Sequence, residues 1–163
     1  MPAVFRVRVA GVAVHDGRVL FHRAAHDDFW ALPGGRVAAG ETLAEALVRE
    51  IQEEVGVEAV AGPLLWVIEN FFDHPSLLRS PPAGPPVAHH EIGHYLQLTL
   101  PPPLRAAGDF TGVEMRGTAD EYVLEFSWFP VDELDGVDVR PRIVGDLLAE
   151  PLPAGMRTIV VSE

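Results

Sequence analysis

Apolar positions along this chain fall mostly into short runs bounded by turn-forming residues, and in one stretch they recur at helical spacing instead. Residues 4–14, an apolar run broken by Arg6 and Arg8, predict a strand that turns at His15-Asp16-Gly17 into a second strand over 18–23. Asp-Gly between two apolar runs is a strong hairpin signal, because both residues tolerate positive φ. Residues 28–32 predict a short strand running into Pro33-Gly34-Gly35. Residues 57–72, interrupted at Ala61-Gly62-Pro63, predict two strand pieces or one long bent strand. Residues 92–100 and 121–129 predict further strands, and 157–161 a final strand or an ordered tail.

Helical spacing appears after Gly40. Thr42-Leu43-Ala44-Glu45 is a capping box, in which the Thr hydroxyl accepts from the Glu45 N–H while the Glu side chain reaches back. No Pro or Gly occurs from Leu43 to Val55, and Gly56 supplies the left-handed stop. Ala44, Val48, Ile51 and Val55 fall within an arc of about 60°, which predicts the core stripe. Later, Pro141 is expected to open a second helix with Ile143, Val144, Leu147 and Leu148 as its apolar stripe and Pro151 as its end. Residues 130–134 read as a turn or short helix.

Two segments read as connections. Residues 73–89 contain Pro75, Pro81, Pro82, Pro85 and Pro86, a density that excludes helix and sheet interior, so a loop is expected there. Structureless loops of about 15 residues are uncommon in compact domains and often functional, so residues 73–90 are a candidate lid, substrate selector or contact in a homodimer. Residues 101–120 read as a second Pro- and Gly-containing connection. No repeat and no domain boundary is visible, and 163 residues are expected to form a single domain over 1–163.

Composition changes this picture in three ways. There is no cysteine, which removes disulfide and thiolate chemistry and suits a reducing cytoplasm. No apolar run approaches the roughly 18 residues of a membrane span. The net charge of −12 argues against a nucleic-acid partner, which needs a basic face.

That acidity is concentrated at one place. Glu50, Glu53 and Glu54 share an arc of about 100° on the predicted helix, where neighbours at i+3 and i+4 repel. Glu53 and Glu54 also lie in its last turn, against the negative end of the helix dipole, which costs about 0.3–1 kcal/mol each. A solvated acidic face is one reading. A divalent cation that turns the repulsion into attraction is the other, since hard cations such as Mg²⁺ prefer carboxylate oxygens.

The surrounding pattern chooses between them. Gly35, five residues, Glu41, seven residues, then Arg49-Glu50-Ile51-Gln52-Glu53-Glu54-Val55-Gly56-Val57 resembles the Nudix box of the Nudix hydrolase family at every fixed position. The resemblance implies an α/β fold, an α/β/α sandwich around a mixed β-sheet. It implies hydrolysis of a pyrophosphate bond in a nucleoside diphosphate linked to another moiety, or in a related organic pyrophosphate, with Mg²⁺ or Mn²⁺ as cofactor. On this sequence Glu53 and Glu54 become the first metal ligands and Glu50 a ligand or water-activating base. The Gly34 carbonyl becomes a further ligand, while Arg49 and Glu41 become supports for the box glutamates.

Relatives often add a carboxylate outside the box, and Glu121, ahead of Glu91 and Glu69, is the first candidate here. Arg36, Phe71 and Phe72 are the candidate substrate contacts, Phe71 and Phe72 because adjacent strand residues point to opposite faces and aromatic faces stack on bases. His89, His90 and His94 lack convergent metal-ligand spacing. The competing function class is a catalytically silent module that binds a nucleotide or a protein. Such a module is expected to have lost box carboxylates, and this chain keeps them all.

Overall fold

A computed structural model describes residues 3–76, 83–116 and 120–163. Its nine strands and three helices among those residues form two sheets with helices against them. Strands β1 (Val4–Val12), β4 (Gly34–Arg36), β5 (Val60–Ser76), β6 (Ala83–Thr99) and β9 (Arg157–Ser162) build the larger sheet, in the order β4-β1-β6-β5-β9. β1 runs parallel to β6 and β9 parallel to β5, while the other pairs are antiparallel, so the sheet is mixed. Strands β2 (Val14–His15), β3 (Arg18–Ala24), β7 (Phe110–Arg116) and β8 (Asp120–Pro130) form the smaller one, in the order β2-β3-β8-β7.

The expected hairpin at Asp16-Gly17 forms, with φ of 50° and 71° at the two residues, and joins β2 to β3. Helix α1 (Leu43–Val55) packs its Ala46, Leu47 and Ile51 into a core with Val9, Leu96, Leu98, Leu124 and Phe126. On the opposite face of the larger sheet, α3 (Ile143–Ala149) buries Val144, Leu147 and Leu148 against Ala10, Val12, Trp66 and Tyr95. The larger sheet is therefore sandwiched between helices, as the α/β/α expectation required. Each fully buried Leu, Ile or Val adds roughly 1.5–3 kcal/mol of transfer free energy. A four-residue helix, α2 (Pro102–Arg105), is carried on the chain between β6 and β7. Among the described residues, no helix is long and apolar enough to cross a membrane.

Several expectations are corrected. The long hairpin β5–β6 runs through residues 73–76 and 83–89, where a loop was expected; residues 77–82, with Pro81 and Pro82, lie outside the described residues. Proline is tolerated there because the hairpin outruns its neighbours. β1 pairs with β6 only from His89 onward, and β9 pairs with β5 only as far as Phe71. Among the described residues, the projecting part is a two-stranded ribbon whose outer N–H groups have no strand to meet, and its register shifts between His74 and Ser76, beside Pro75. Bulges between Ala61 and Trp66 absorb Gly62 and Pro63, so residues 60–76 are one bent strand.

The second expected connection, 101–120, contains strand β7. The short strand expected at 28–32 is reduced to isolated bridges, His22 with Ala31 and Trp30 with Val139, while Gly34–Arg36 is the strand. Pro141 stands before the N-cap Arg142 and so outside α3.

Candidate functional site

Helix α1 begins and ends as its sequence dictates. Thr42 Oγ1 accepts from the Glu45 N–H at 3.2 Å, and Glu45 Oε2 accepts from the Thr42 N–H at 2.7 Å. Gly56 closes the helix at φ 74°, donating to the Gln52 carbonyl at 2.9 Å. With both ends fixed, the rotation of the helix decides where its glutamates point. Ala44 is exposed, against expectation, and Val48 and Val55 are only half-buried. The buried residues are Ala46, Leu47, Ile51 and Glu54, so the inner face is turned by about a quarter of a turn from the predicted stripe. On that side the helix meets β7, whose Gly112 lies so close to the end of the helix that an added Cβ would collide with the Glu54 carbonyl.

The three box carboxylates therefore occupy three environments. The Glu53 side chain is 60 % exposed, Glu50 15 % and Glu54 3 %. Arg49 gathers the first two: its Nη1 donates to Glu50 at 3.0 Å and to Glu53 at 3.2 Å. The same guanidinium donates through Nε and Nη2 to Glu41, at 2.9 and 2.7 Å, and through Nη2 to the Arg36 carbonyl at 3.1 Å. The Arg49 bonds and the Ala38 N–H hold the Glu41 carboxyl down at about 2. In turn, its carboxylate partners, Glu41 first, push Arg49 further above the usual arginine range. Arg49 and Glu41 thus have the geometry of supports, tying the start of the helix to its acidic end.

Glu50 lies against Gly35 of β4. A Cβ on Gly35 would stand only 2.5 Å from both Glu50 carboxylate oxygens, so a larger residue there would push the Glu50 carboxylate out of its place. Gly34 is equally confined, since its Cβ would collide with the Val9 carbonyl across the sheet. Burial raises the Glu50 pKa, the Arg49 bond opposes the rise, and the Glu54 charge adds to it.

Glu54 is the outlier. Its Oε2 is buried and has no hydrogen-bond partner. Burial first, then the negative charge of Glu114 on β7, lifts its pKa well above the carboxylate range, with Arg8 as the opposing influence. The nearest facing group is His22 of β3, with Nδ1 3.7 Å from Glu54 Oε2. Burial, then Arg8, pulls the His22 pKa down to about 3, so its ring is neutral at physiological pH. Among the described residues no three His, Asp or Glu groups yet converge closely enough to enclose an ion. The donor set nevertheless fits a hard cation: carboxylate oxygens, one of them desolvated and unpartnered, beside glycine backbone.

The candidates outside the box are distributed differently from expectation. Glu121 lies exposed on the outer face of β8, and its cross-strand partner is Met115. Glu91 is spent on Arg6, which donates through Nε at 2.5 Å, and Glu69 is paired with His90 at 2.8 Å. The carboxylate brought to the box is Glu114, which sequence reasoning missed because residues 101–120 read as a connection. Once a strand is drawn there, alternation puts Phe110, Gly112 and Glu114 on one side, the side that meets α1. Arg8 and His22 were missed as well. Arg8 and Arg6 share a face of β1, and Arg8 is anchored by the Leu32 carbonyl at 2.8 Å.

Substrate candidates separate by face, as adjacent strand residues must. Phe72 is half-buried and stacks on His89 at 5.0 Å with 8° between planes, with Arg6 over its ring at 5.6 Å. Asn70, on the same face, buries an Oδ1 that has no hydrogen-bond partner. Phe71 is exposed on the other face and stacks on His90 at 4.3 Å. Arg36 is an exposed residue of β4, registered against Arg8. His89 and His90 point to opposite faces and so cannot share an ion.

The chain was compared with known proteins at three levels. It is 56 % identical over 46 residues to an RNA pyrophosphohydrolase of Halorhodospira halophila, covering 28 % of this chain and 25 % of that protein. It is 42 % identical over 67 residues to an ADP-ribose pyrophosphatase of Methanocaldococcus jannaschii, covering 39 % of this chain and 40 % of that protein. A CTP pyrophosphohydrolase of Escherichia coli matches at 41 % over 58 residues, 33 % of this chain and 43 % of the other. The matched stretches thus span less than half the length of these relatives. Among solved structures, a NUDIX hydrolase from Nitrosomonas europaea superposes with a TM-score of 0.63 at 17 % identity, over 100 % of this chain and 82 % of that one. The MutT protein from Methanosarcina mazei does so with a TM-score of 0.56 at 19 % identity, over 91 % and 94 %. The NUDIX domain model matches residues 4–147 of the 163, and with the fold in agreement, the chain belongs to the NUDIX domain family.

Proposed function

We propose that the protein hydrolyses a phosphoric anhydride bond in a nucleoside diphosphate linked to another moiety, or in a related organic pyrophosphate, with Mg²⁺ or Mn²⁺ held by the box glutamates. The observation that carries this reading is Glu54, whose buried Oε2 has no hydrogen-bond donor among the described residues, at the acidic end of a capped helix. Uncompensated buried charge costs several kcal/mol, so such a group implies a cation when the protein works. A divalent ion bound there supplies neutralisation of the phosphate oxygens and a coordinated water of lowered pKa.

The chain's own residues do the rest. Glu53 and Glu54 are the ligand carboxylates, and the Gly34 carbonyl is a further ligand on the backbone that Glu50 touches. Glu50, partly desolvated and held by Arg49, is the group to take a proton from the attacking water. Glu114 adds a fourth negative oxygen donor near Glu54. Phe72, with His89, Arg6 and Asn70, offers an aromatic face and hydrogen-bonding groups for the organic moiety. The relatives' names, which include ADP-ribose, CTP and RNA pyrophosphohydrolases, support a nucleotide pyrophosphate and do not select one.

The test is a panel of nucleoside triphosphates, ADP-ribose, dinucleoside polyphosphates and nucleotide sugars, followed by phosphorus NMR with each metal and with chelator. Hydrolysis of at least one substrate, abolished by chelator and restored by Mg²⁺ or Mn²⁺, is expected. Full turnover in the presence of chelator, or no turnover of any substrate, would reject the reading.

A further inference from the structure

His22 is a buried nitrogen base that neither the core nor the box motif accounts for. Its place is fixed by β3: its N–H donates to the Ala31 carbonyl at 2.8 Å, and its carbonyl accepts from the Ala31 N–H at 2.9 Å. Its ring lies against Phe126, centroids 5.5 Å apart. Nδ1 is buried, has no hydrogen-bond partner and faces Glu54 Oε2, which also has none. Two desolvated polar atoms that face each other unpaired require an explanation, and an ion between them is one that chemistry offers.

The size of the gap narrows the choice. At 3.7 Å the two atoms are too far apart for a hydrogen bond. A water at about 2.8 Å from each partner wants them roughly 4.5 Å apart for tetrahedral angles. Two ligands about 2.1 Å from one ion lie roughly 3.0–3.6 Å apart. The observed gap sits nearer the second case. We propose that His22 is a nitrogen ligand, from outside the box, to the ion held by Glu54, and that it biases the site toward transition-metal ions over Mg²⁺. This rests on the reading of α1 as a cation-holding helix. Carboxylates alone suit Mg²⁺, whereas an imidazole nitrogen adds little for Mg²⁺ and progressively more from Mn²⁺ through Co²⁺.

Two measurements test it. Pulsed electron paramagnetic resonance of the Mn²⁺-loaded wild-type protein should show nitrogen-14 coupling to the ion, and its absence would overturn the proposal without any variant. Calorimetric titration with Co²⁺ and with Mg²⁺ should show that His22→Gln loses about tenfold or more in Co²⁺ affinity. Mg²⁺ affinity should change by less than about threefold. His22→Phe, which keeps the ring against Phe126, should behave alike if Gln disturbs the fold. Equal losses for both ions, or none, would overturn the proposal. If the wild type binds neither ion, the reading of α1 fails instead. Binding that depends on Glu54 and not on His22 removes only the nitrogen ligand.

Discussion

Two glutamates in this protein are equally buried, Glu54 and Glu91, each 4 % exposed. Glu91 lies on β6 with the Arg6 guanidinium donating to it from the neighbouring strand β1. Glu54 lies on α1 with no donor to its Oε2 among the described residues, and the group facing that oxygen is a neutral imidazole that cannot compensate its charge. The first has been neutralised by the fold and holds two strands in register. The second is left to something the fold does not supply. Burial alone marks neither as functional; the missing partner does.

The comparison breaks most visibly in turnover. Glu54→Gln keeps the shape and removes the charge, so kcat on any substrate found should fall on the order of a thousandfold. Glu91→Gln should lower kcat far less, and steady-state kinetics of the two variants side by side reads the difference. If Glu91→Gln is the more damaging to kcat, the roles have been assigned the wrong way round.

Stability should rank them in reverse. Glu91→Gln strands a largely buried Arg6 cation, whose pKa burial already lowers, and should cost about 3 kcal/mol in urea unfolding. Glu54→Gln replaces a carboxyl that burial and the Glu114 charge keep from ionising, and should leave the metal-free protein as stable as wild type or more so.

The smallest effect sharpens the comparison by pH. Because burial raises the folded-state pKa of Glu54, the metal-free native state keeps its proton where the unfolded chain has lost it. The native state then binds more protons, so this group's contribution declines as pH rises from the ordinary carboxylate range, near 4.3, toward the raised value. Urea unfolding of the metal-free protein at a series of pH values should show that decline in wild type and a flatter profile in Glu54→Gln. Identical profiles would mean that Glu54 is not desolvated in solution.

What could be read from the sequence is local chemistry. The capping box, Gly56 and the Asp16-Gly17 turn each act within a few residues, and each appears where the residues demand it. The spacing of Arg49, Glu50, Glu53 and Glu54 is a property of one helix and was equally legible. What was lost depends on neighbours. The face of α1 that is buried depends on strands far away in the chain, among them β7, whose Gly112, about sixty residues on, lies against the Glu54 carbonyl. Glu114 entered the site on that same strand, hidden in a segment whose prolines and glycines suggested a connection. The Pro-rich hairpin misled for a related reason: proline forbids an interior strand, and only topology reveals that this ribbon extends beyond the sheet.

In the proposed function, the partner that Glu54 lacks is a divalent cation. The most direct measurement is thermal unfolding at neutral pH of wild type and Glu54→Gln, each with chelator and with saturating Mg²⁺ or Mn²⁺. Binding to the native state alone must raise Tm, by linkage. The prediction is a clear rise in wild type and little or none in Glu54→Gln, with Glu91→Gln retaining the rise from a lower starting point. An equal rise in wild type and Glu54→Gln, or no rise in wild type, would contradict the claim.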